Sequence, residues 1–314
     1  MRTHRSHAAG FTLVEAIVAI VITGILAGMV AVFIKSPVDS YIDMGRRAEL
    51  TDTADTAVRR IARDVHLALP NSVRNPVDGS DQCVEFMPTK IGGRYRAAQT
   101  STGTGNILDL TLDTTPFDAS FDMLWLNSAL LAANRIAVND IVAVYNDGYS
   151  GNAYSGANAI RVAGVCEPPD VACAGTPANS TEITFVDAVT GAPFNRKQLP
   201  AESPSYRFQV IPSTEHAVSY RCNAGILTRH SRTLSAAWAQ PATCAAMVAN
   251  SQAAPATLTS AILAENVTAC SLHYEPPGSG TGLSRNGILS ISLEITQAGE
   301  SVRLYHQVHV DNTP

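Results

Sequence analysis

The chain has 314 residues, of which 46% are hydrophobic, and its formal net charge at pH 7 is −5. This charge lacks the basic surplus that marks nucleic-acid binding, and the hydrophobic content is sufficient for a sizeable core. The length allows one membrane anchor followed by roughly 245 residues in one or two domains.

The first predicted element is an apolar helix close to the N-terminus. Between Phe11 and Ile34 the only charged residue is Glu15. At a rise of about 1.5 Å per residue, a helix of this length spans about 36 Å, which is enough to cross a hydrocarbon core of about 30 Å. The short leader before it carries Arg2 and Arg5. We therefore expect the leader to stay in the cytoplasm and the rest of the chain to lie across the membrane.

The junction between the leader and the helix differs from that of a secretory signal. A secretory signal has its small-residue cleavage site after the apolar run, whereas here the small residue Gly10 stands before it. Cleavage between Gly10 and Phe11 would remove the leader and leave the anchor. The alternative is a signal anchor that is not cleaved.

Residues 10 to 15, Gly-Phe-Thr-Leu-Val-Glu, resemble the prepilin processing motif of type IV pilins and type II secretion pseudopilins. The resemblance implies that a prepilin peptidase in the inner membrane cleaves after Gly10 and that the new amino terminus on Phe11 is N-methylated. It also implies a non-enzymatic subunit without a cofactor. The implied partners are the prepilin peptidase, other minor and major pilins and an inner-membrane assembly platform.

Glu15 is the charged residue of the span, and a carboxylate there is costly unless it has a partner. The α-amine that cleavage would free at Phe11 lies one helical turn away. In the filament that the resemblance implies, Glu15 pairs with the amine of a neighbouring subunit and sets the axial register. The alternatives are pairing with its own amine and exposure near the membrane interface. Gly24 and Gly28 form a GxxxG spacing, which permits close helix packing.

A proline follows the span and makes the next part of the helix ambiguous. Pro37 lacks a backbone donor, while Ser36 and Asp39 resemble a capping pair with proline at the first helical position. The sequence therefore predicts either a kink or a stop and restart at this point.

From residue 38 to about 69, apolar residues recur at steps of three and four, which predicts an amphipathic helix continuing the stalk. The members of this stripe are Leu50, Ala54, Val58, Ile61, Val65 and Leu69. On the polar side, Asp55 and Arg59 have the spacing of a favourable ion pair. Arg59, Arg60 and Arg63 either contact lipid headgroups or neighbouring subunits or form a solvated face. Pro70 and Asn71 are predicted to end the helix.

From residue 82 the hydrophobic period changes to two, which is typical of half-buried antiparallel strands. Strands are predicted at 83–87, 107–112, 140–145, 159–163, 181–185, 206–210, 217–221, 225–229, 267–274, 288–295 and 302–310, and short helices at 123–133 and 257–264. Residues 222–225 predict a hairpin turn. The expected fold is α+β, with a long N-terminal helix packed on an antiparallel β-rich head over residues 71–314. The loop-rich part around 100–200 is either an insertion or a second lobe.

Six cysteines lie outside the membrane segment: Cys83, Cys166, Cys173, Cys222, Cys244 and Cys270. An even number in an oxidising compartment favours disulfides over metal binding or catalysis. The preferred pairs are Cys166 with Cys173 as a short staple, then Cys222 with Cys244, which leaves Cys83 with Cys270. The absence of a CxxC spacing argues against zinc and redox chemistry.

Few residues suggest other chemistry. The glycine-rich stretches at 103–105 and 278–280 lack the lysine and glycine spacing of a phosphate loop. His306 and His309 point to opposite faces of a strand, which argues against a shared metal. Loop residues Asp78, Asp81, Asn146 and Asp147 are candidate calcium ligands but lack the EF-hand pattern. A membrane-anchored enzyme or ligand-binding protein is the alternative class, and a buried cluster of perturbed titratable residues in a head pocket would support it.

The C-terminal third adds a second, looser resemblance. Residues 218–229, 263–274 and the final hairpin resemble the larger minor pseudopilins of the J type in type II secretion. Residues 46–50 and 304–311 resemble the MshO-type minor pilins of mannose-sensitive haemagglutinin (MSHA) pilus biogenesis. The resemblance implies a minor subunit that initiates or caps assembly of an MSHA-type pilus, anchored in the inner membrane with a periplasmic head before it reaches the tip. A type II secretion pseudopilus is the alternative machine.

Overall fold

The computed structural model describes residues 10–108, 118–148, 152–188, 191, 202–233, 241–249, 258–277 and 286–314. Within these residues a long helix packs on an antiparallel β-rich head, so the predicted α+β fold is confirmed. Most of the leader, most of the strand predicted at 107–112 and the glycine-rich stretch at 278–280 lie outside the described residues.

Helix α1 spans Leu13–His66 and runs through Pro37 without interruption, so the predicted stop and restart is wrong. Proline removes only one hydrogen bond from the helical ladder, and the helical turns on both sides keep theirs. The helix also ends earlier than Pro70 suggested, because the following residues leave it to pair with the head. The backbone N–H of Leu69 donates to the carbonyl of Met87 at 2.8 Å.

The remaining strands and the second α-helix of the described residues follow in chain order, with four single 3₁₀ turns between them. They are β1 (Cys83–Phe86), β2 (Ile91–Arg94), β3 (Ser120–Met123), β4 (Ile141–Val144), β5 (Ala159–Cys166), β6 (Thr181–Asp187), β7 (Arg207–Ile211), β8 (Ala217–Asn223), β9 (Ile226–Arg232), α2 (Cys244–Val248), β10 (Leu258–Ala264), β11 (Val267–Glu275), β12 (Asn286–Gln297) and β13 (Glu300–Asp311). The turn predicted at 222–225 joins β8 and β9, with Ala224 and Gly225 both at positive φ, as a two-residue hairpin turn requires.

Two sheets surround the amphipathic half of α1. Their strand orders are β1-β8-β9-β10 and β11-β12-β13. Asn75 bridges them, because its side-chain amide donates to the carbonyls of Cys83 at 2.7 Å and Leu272 at 2.8 Å. The predicted apolar stripe from Leu50 to Leu69 is buried throughout. The stripe therefore holds the helix against the head, as part of one cluster of buried apolar side chains.

A third sheet of six strands, in the order β2-β7-β4-β5-β6-β3, closes on itself. Tyr95 pairs with Met123 across the seam, where the N–H of Leu124 donates to the carbonyl of Arg94 at 2.9 Å. This sheet is built from residues 91–211 and encloses its own cluster of apolar side chains, which includes Phe121 and Phe208. It occupies the part of the sequence for which an insertion or second lobe was predicted.

Both predicted short helices need correction. Residues 258–264 form strand β10, because they pair with β9 along the edge of the first sheet. Region 123–133 begins in β3 and continues in two single 3₁₀ turns, Asn127–Ala129 and Ala132–Asn134. The side chain of Asn127 exchanges two hydrogen bonds with the backbone of Ile136, at 2.7 and 2.9 Å, and folds this segment back as a loop. Tertiary pairing thus overrides the local helical pattern in both places.

The structure pairs Cys166 with Cys173, Cys83 with Cys244, and Cys222 with Cys270. The first pair is the one that the sequence favoured; the other two predicted pairs, Cys222 with Cys244 and Cys83 with Cys270, are wrong. Backbone hydrogen bonds of the segments beside these cysteines explain why the observed pairs differ from the predicted ones. The segment before α2 pairs with residues 77–78 and brings Cys244 to β1, while the β8–β9 turn pairs with the start of β11 and brings Cys222 to Cys270.

Candidate functional site

The predicted cleavage junction lies just outside the start of α1. Thr12 is the N-cap residue, and its Oγ1 accepts a hydrogen bond from the backbone N–H of Glu15 at 3.3 Å. Gly10 and Phe11 precede the cap and are exposed, with 77% of the Phe11 surface accessible. A peptide bond that is exposed and outside a helix suits proteolysis, so the geometry permits cleavage at this junction.

The apolar half of α1 projects from the head. Among the described residues, α1 is the helix that is long and apolar enough to cross a membrane, and its most apolar window has no buried residue. Phe33, near the end of this segment, is 82% exposed. A continuous apolar surface of this size requires lipid or another protein around it. The segment therefore fits a membrane anchor.

Glu15 lies in the first turn of this exposed segment, and its side chain is exposed. The helix dipole favours a negative charge at this position. No cationic group among the described residues forms an ion pair with the Glu15 carboxylate. Since an unpaired carboxylate is costly in a membrane, the described part of the chain leaves it available for a partner outside this head.

Gly24 and Gly28 lie one turn apart on the same helix. A Cβ atom built at either position would meet no atom within 4 Å. Both glycines therefore present open backbone to the surroundings, as a close helix–helix contact requires. Their role in such a contact stays a prediction.

The arginines of the polar face have acidic neighbours within the chain. Arg59 bonds Asp55 at 2.6 Å, as its spacing predicts, and Arg60 lies 3.2 Å from Asp64. Arg63 lies 4.0 Å from the same carboxylate. These arginine side chains are exposed, and their contact with lipid headgroups or neighbouring subunits stays a prediction.

Asp64 fastens the end of α1 to the first sheet. Its carboxylate accepts hydrogen bonds from the hydroxyl of Tyr220 at 2.7 Å and from Nε of Arg229 at 2.8 Å. Arg229 also donates to Glu215 at 2.7 Å. Burial by itself raises the pKa of Asp64, but the hydrogen bonds from Tyr220 and Arg229, together with the positive charges of Arg229 and Arg60, outweigh burial and hold this pKa below its usual value.

We expect Asp64→Asn to lower the free energy of unfolding by about 2 kcal/mol near neutral pH, because it weakens hydrogen bonds to a charged acceptor. A carboxyl group whose folded-state pKa is depressed stabilises the fold above its unfolded-state pKa and loses that contribution as the pH falls through the folded-state pKa. The difference between wild type and variant should therefore shrink below the usual carboxyl pKa of 3.8. Chemical denaturation across this pH range measures it.

Asp55→Asn is the matched control, since it removes an exposed ion pair on the same helix and should cost less than about 1 kcal/mol. Equal effects of the two substitutions, or an Asp64 effect that does not change with pH, would contradict this account.

Glu85 is at the centre of a second charged cluster in the head. Its side chain is fully buried and accepts hydrogen bonds from Arg74, Arg232 and Ser219. The guanidinium of Arg74 lies 3.3 Å from the ring centroid of Tyr154. The pKa of the Tyr154 phenol is raised, mainly because the side chain is buried. The residues of this cluster bond one another, which is the arrangement of a structural core rather than of a catalytic pocket open to substrate.

The closed sheet contains a further acidic group, Asp122. Its Oδ2 accepts hydrogen bonds from Arg96 and from the backbone N–H of Asn106, both at 3.0 Å. Burial, which is stronger than these two interactions, raises the pKa of Asp122. At another loop, the pKa of Glu167 is lowered. Burial by itself raises this pKa, but the hydrogen bonds from Ser128 and Thr181 outweigh the effect of burial. Both carboxyl groups therefore have internal partners that fix neighbouring loops.

The candidate calcium ligands are also engaged within the chain. Asp78 accepts from the N–H of Ser80 at 3.0 Å, and Asp81 accepts from the hydroxyl of Ser271 at 2.7 Å. Asn146 is buried, and its amide nitrogen donates to the carbonyl of Pro70 at 2.6 Å. Within the described ranges, no group of three or more histidine, cysteine and acidic side chains could hold a metal ion.

Sequence reasoning missed the two charged clusters. One signal was present: Glu85 stands between Val84 and Phe86 in a short apolar strand, where a charge needs a buried partner. Its partners, Arg74 and Arg232, come from different parts of the chain, so the sequence does not identify them.

Comparison with known protein families supports the N-terminal assignment. Residues 5–31 match the family described as the prokaryotic N-terminal methylation motif. No curated protein and no solved structure matches the chain. The chain therefore carries the N-terminal methylation motif of type IV pilin-like proteins, which implies processing by a prepilin peptidase and fits a membrane-anchored, pilin-like subunit.

Proposed function

We propose that this protein is a minor, non-enzymatic pilin-like subunit that helps to initiate or cap assembly of a type IV pilus. The observation that carries the proposal is the methylation motif on a helix whose apolar half projects, fully exposed, from a folded head. A helix of this kind is stable only in a bilayer or among similar helices. The first environment is the membrane before assembly, and the second is the filament.

The head supports a role in few copies. In the part of the chain that the structure describes, it contains three sheets, one of which closes on itself in addition to the two that hold α1. A head with this additional sheet needs more lateral space than the two sheets that hold the helix would need alone. Repetition of such a head at every position of a crowded shaft is unfavourable, so a position at the tip suits it better.

The assembly step that we propose uses Glu15. After cleavage, the N-methylated amine of Phe11 in one subunit and the Glu15 carboxylate of its neighbour would pair within the apolar bundle. Such a pair removes the cost of both isolated charges and fixes the axial offset between subunits. Gly24 and Gly28 would let neighbouring helices approach closely. Other minor and major pilins and the assembly platform are the proposed partners.

The machine that we propose is an MSHA-type pilus, on the basis of the C-terminal resemblance at residues 304–311 and of the short stretch at 46–50. The J-type resemblance at residues 218–229 and 263–274 favours a type II secretion pseudopilus as the second candidate. In both cases the leader would be cytoplasmic and the head periplasmic before incorporation. Detection of the protein in the filaments of one machine and its absence from those of the other distinguishes the two.

The test of the pilin-like function is the mass and N-terminal sequence of the protein extracted from membranes, with and without an active prepilin peptidase. We expect a mature chain that starts at methylated Phe11 and forms only when the peptidase is present. Gly10→Val should leave the leader in place, because it puts a branched side chain at the cleavage junction. Gly24→Ala, which is outside the junction, should be processed normally.

An intact leader in the wild type, with and without the peptidase, would contradict the proposal and favour the membrane-anchored enzyme or ligand-binding protein instead.

A further inference from the structure

The two sheets around α1 have two outer edges, which are formed by β10 and β13. Their inner edges are covered: the backbone of Arg74 pairs with Glu85 of β1, and Asn75 and Asp81 bond the backbone of β11. The six-stranded sheet closes on itself. An unpaired strand edge displays N–H and carbonyl groups that another strand can bond, so the outer edges of the two sheets around α1 can accept an added strand.

Strand β13 has the more regular of the two edges. It pairs with β12 over its full length, from Asn286 opposite Asp311 to Gln297 opposite Glu300, without a register shift. Strand β10, in contrast, is irregular between Ile262 and Ala264. Natural edges are usually blocked by charged side chains, proline, bulges, short length or a covering helix or loop. The 12 residues of β13 contain no proline, lysine or bulge, and its acidic residues and its arginine lie towards its two ends, at Glu300, Arg303 and Asp311.

The backbone groups on the outer side of β13 follow from its hairpin. A two-residue turn, with Ala298 and Gly299 at positive φ, joins β12 to β13. In such a hairpin the flanking pair, Gln297 and Glu300, exchanges hydrogen bonds, and bonding then alternates along the strand. The odd-numbered residues from 301 to 311 therefore direct their N–H and carbonyl groups away from β12. Within the described ranges, no backbone group bonds them.

The side chains beside this edge show what an added strand would need. Val302 and Leu304 face α1 but stay half-exposed, so the inner face of the sheet is incompletely covered there. On the outer face Tyr305 is 64% exposed. Arg303 lies near the start of the strand and Asp311 at its end. A complementary strand would place apolar side chains beside Val302 and Leu304 and polar ones on the other face, with an acid near Arg303 and a base near Asp311.

The direction of β13 argues against a second copy of this chain as the antiparallel partner. Arg47 bonds Glu300 at 2.7 Å, and the backbone N–H of Asn71 donates to the side chain of Asn312 at 2.8 Å. Strand β13 thus runs in the same direction as α1. If the β13 edges of two copies paired antiparallel, a two-fold axis perpendicular to the strands would relate the copies. Helix α1 of one copy would then point in the direction opposite to α1 of the other. The two anchors would then leave in opposite directions and could not share one membrane.

We propose that the β13 edge binds an extended segment of a different protein chain as an additional strand. The added backbone would satisfy the odd-numbered groups of β13, and its alternating side chains would supply specificity, as in other cases of strand addition. This inference rests on the proposed function, because the membrane anchor supplies the argument against a second copy. The partner is a component of the same assembly and contributes a strand of alternating polar and apolar residues.

The test uses the full chain in its membrane, with a photo-activated crosslinking amino acid placed in turn at positions 303, 305, 307 and 309. We expect crosslinks to one segment of one other chain, with the attachment point moving by two residues at each step. Gln307→Pro removes an outward N–H without disturbing the bonds to β12, and it should reduce the crosslinks from position 305 by about tenfold. Gln307→Ala keeps the N–H and should leave these crosslinks unchanged.

Gln307→Lys supplies a second disrupting variant if the proline variant misfolds, since a charge on an edge opposes added strands. Crosslinks to this chain itself, to a second copy of it, to lipid or to scattered positions would overturn the proposal, as would no crosslinks or equal crosslinks in all variants. The N-terminal mass of the same sample separates the two proposals: removal of the leader without ordered crosslinks refutes the strand addition alone, whereas a retained leader refutes the pilin-like function.

Discussion

Replacement of Glu85 by alanine is expected to lower the free energy of unfolding by about 3–5 kcal/mol, the usual cost of removing one partner from a buried ion pair. The Glu85 carboxylate is fully buried and is the shared acceptor of Arg74 and Arg232. Without it, two guanidinium groups that are each almost buried would face one another with no counter-charge. The loss of stability therefore comes mainly from leaving two buried guanidinium groups without a counter-charge, rather than from the lost hydrogen bonds themselves.

The position of Glu85 makes the effect global. It lies in β1 opposite Ser219 of β8, while Arg74 belongs to the segment that covers the other side of β1. Arg232 ends β9 and reaches the second carboxylate oxygen at 2.5 Å. One carboxylate thus connects three neighbouring segments of the sheet that holds α1. Its removal should loosen the attachment of the helix as well as the sheet.

Thermal or denaturant unfolding of the detergent-solubilised protein measures this effect. Glu85→Gln should give an intermediate loss, because it keeps a hydrogen-bonding group of similar shape but removes the charge. Arg59→Ala, which removes an exposed ion pair with Asp55, should cost less than about 1 kcal/mol. A loss of that small size for Glu85→Ala would show that the buried cluster does not hold the sheet together.

The N-terminal part of the molecule was predictable because its signals are local. The period of Leu50, Ala54 and Val58 reflects a single helix packed on a single surface, and these residues are buried as the period predicts. The continuity of α1 through Pro37 was ambiguous for a local reason too. Ser36 and Asp39 around Pro37 are compatible both with the start of a new helix and with the interior of a continuous one. Only the rest of the fold decides which of the two forms.

The parts that could not be predicted depend on distant neighbours. Cys83 pairs with Cys244 across 161 residues, and no spacing rule distinguishes this pair from Cys83 with Cys270. Strand β10 resembles a helix in sequence and becomes a strand because β9 offers it an edge. The ion-pair partners of Glu85, Arg74 and Arg232, also come from distant parts of the chain that the sheet brings together. In each case the information lies in the arrangement of the sheet and is absent from the local pattern.

Glu15 is a different case, because its predicted partner is in another molecule. The sequence marks it as the charged residue of the span, and the structure leaves its carboxylate exposed without a described ion pair. We expect Glu15→Ala to leave membrane insertion and leader removal intact and to reduce incorporation into the assembly at least tenfold. One charge pair in a low-dielectric bundle is worth more than the 1.4 kcal/mol that a tenfold change requires.

The measurement compares the amount of the mature protein in the membrane with the amount in sheared filaments. Glu15→Gln tests whether charge is needed, since it keeps the shape and hydrogen-bonding capacity, and it should fail almost as severely. Asp39→Ala removes an acidic group on the same helix beyond the apolar run and should be incorporated normally. Unchanged incorporation of Glu15→Ala would refute the intersubunit pair and would favour an exposed carboxylate near the membrane interface. A loss confined to Glu15 would establish that incorporation depends on this charge, as the intersubunit pair requires, because the anchor and its processing would be the same in every variant.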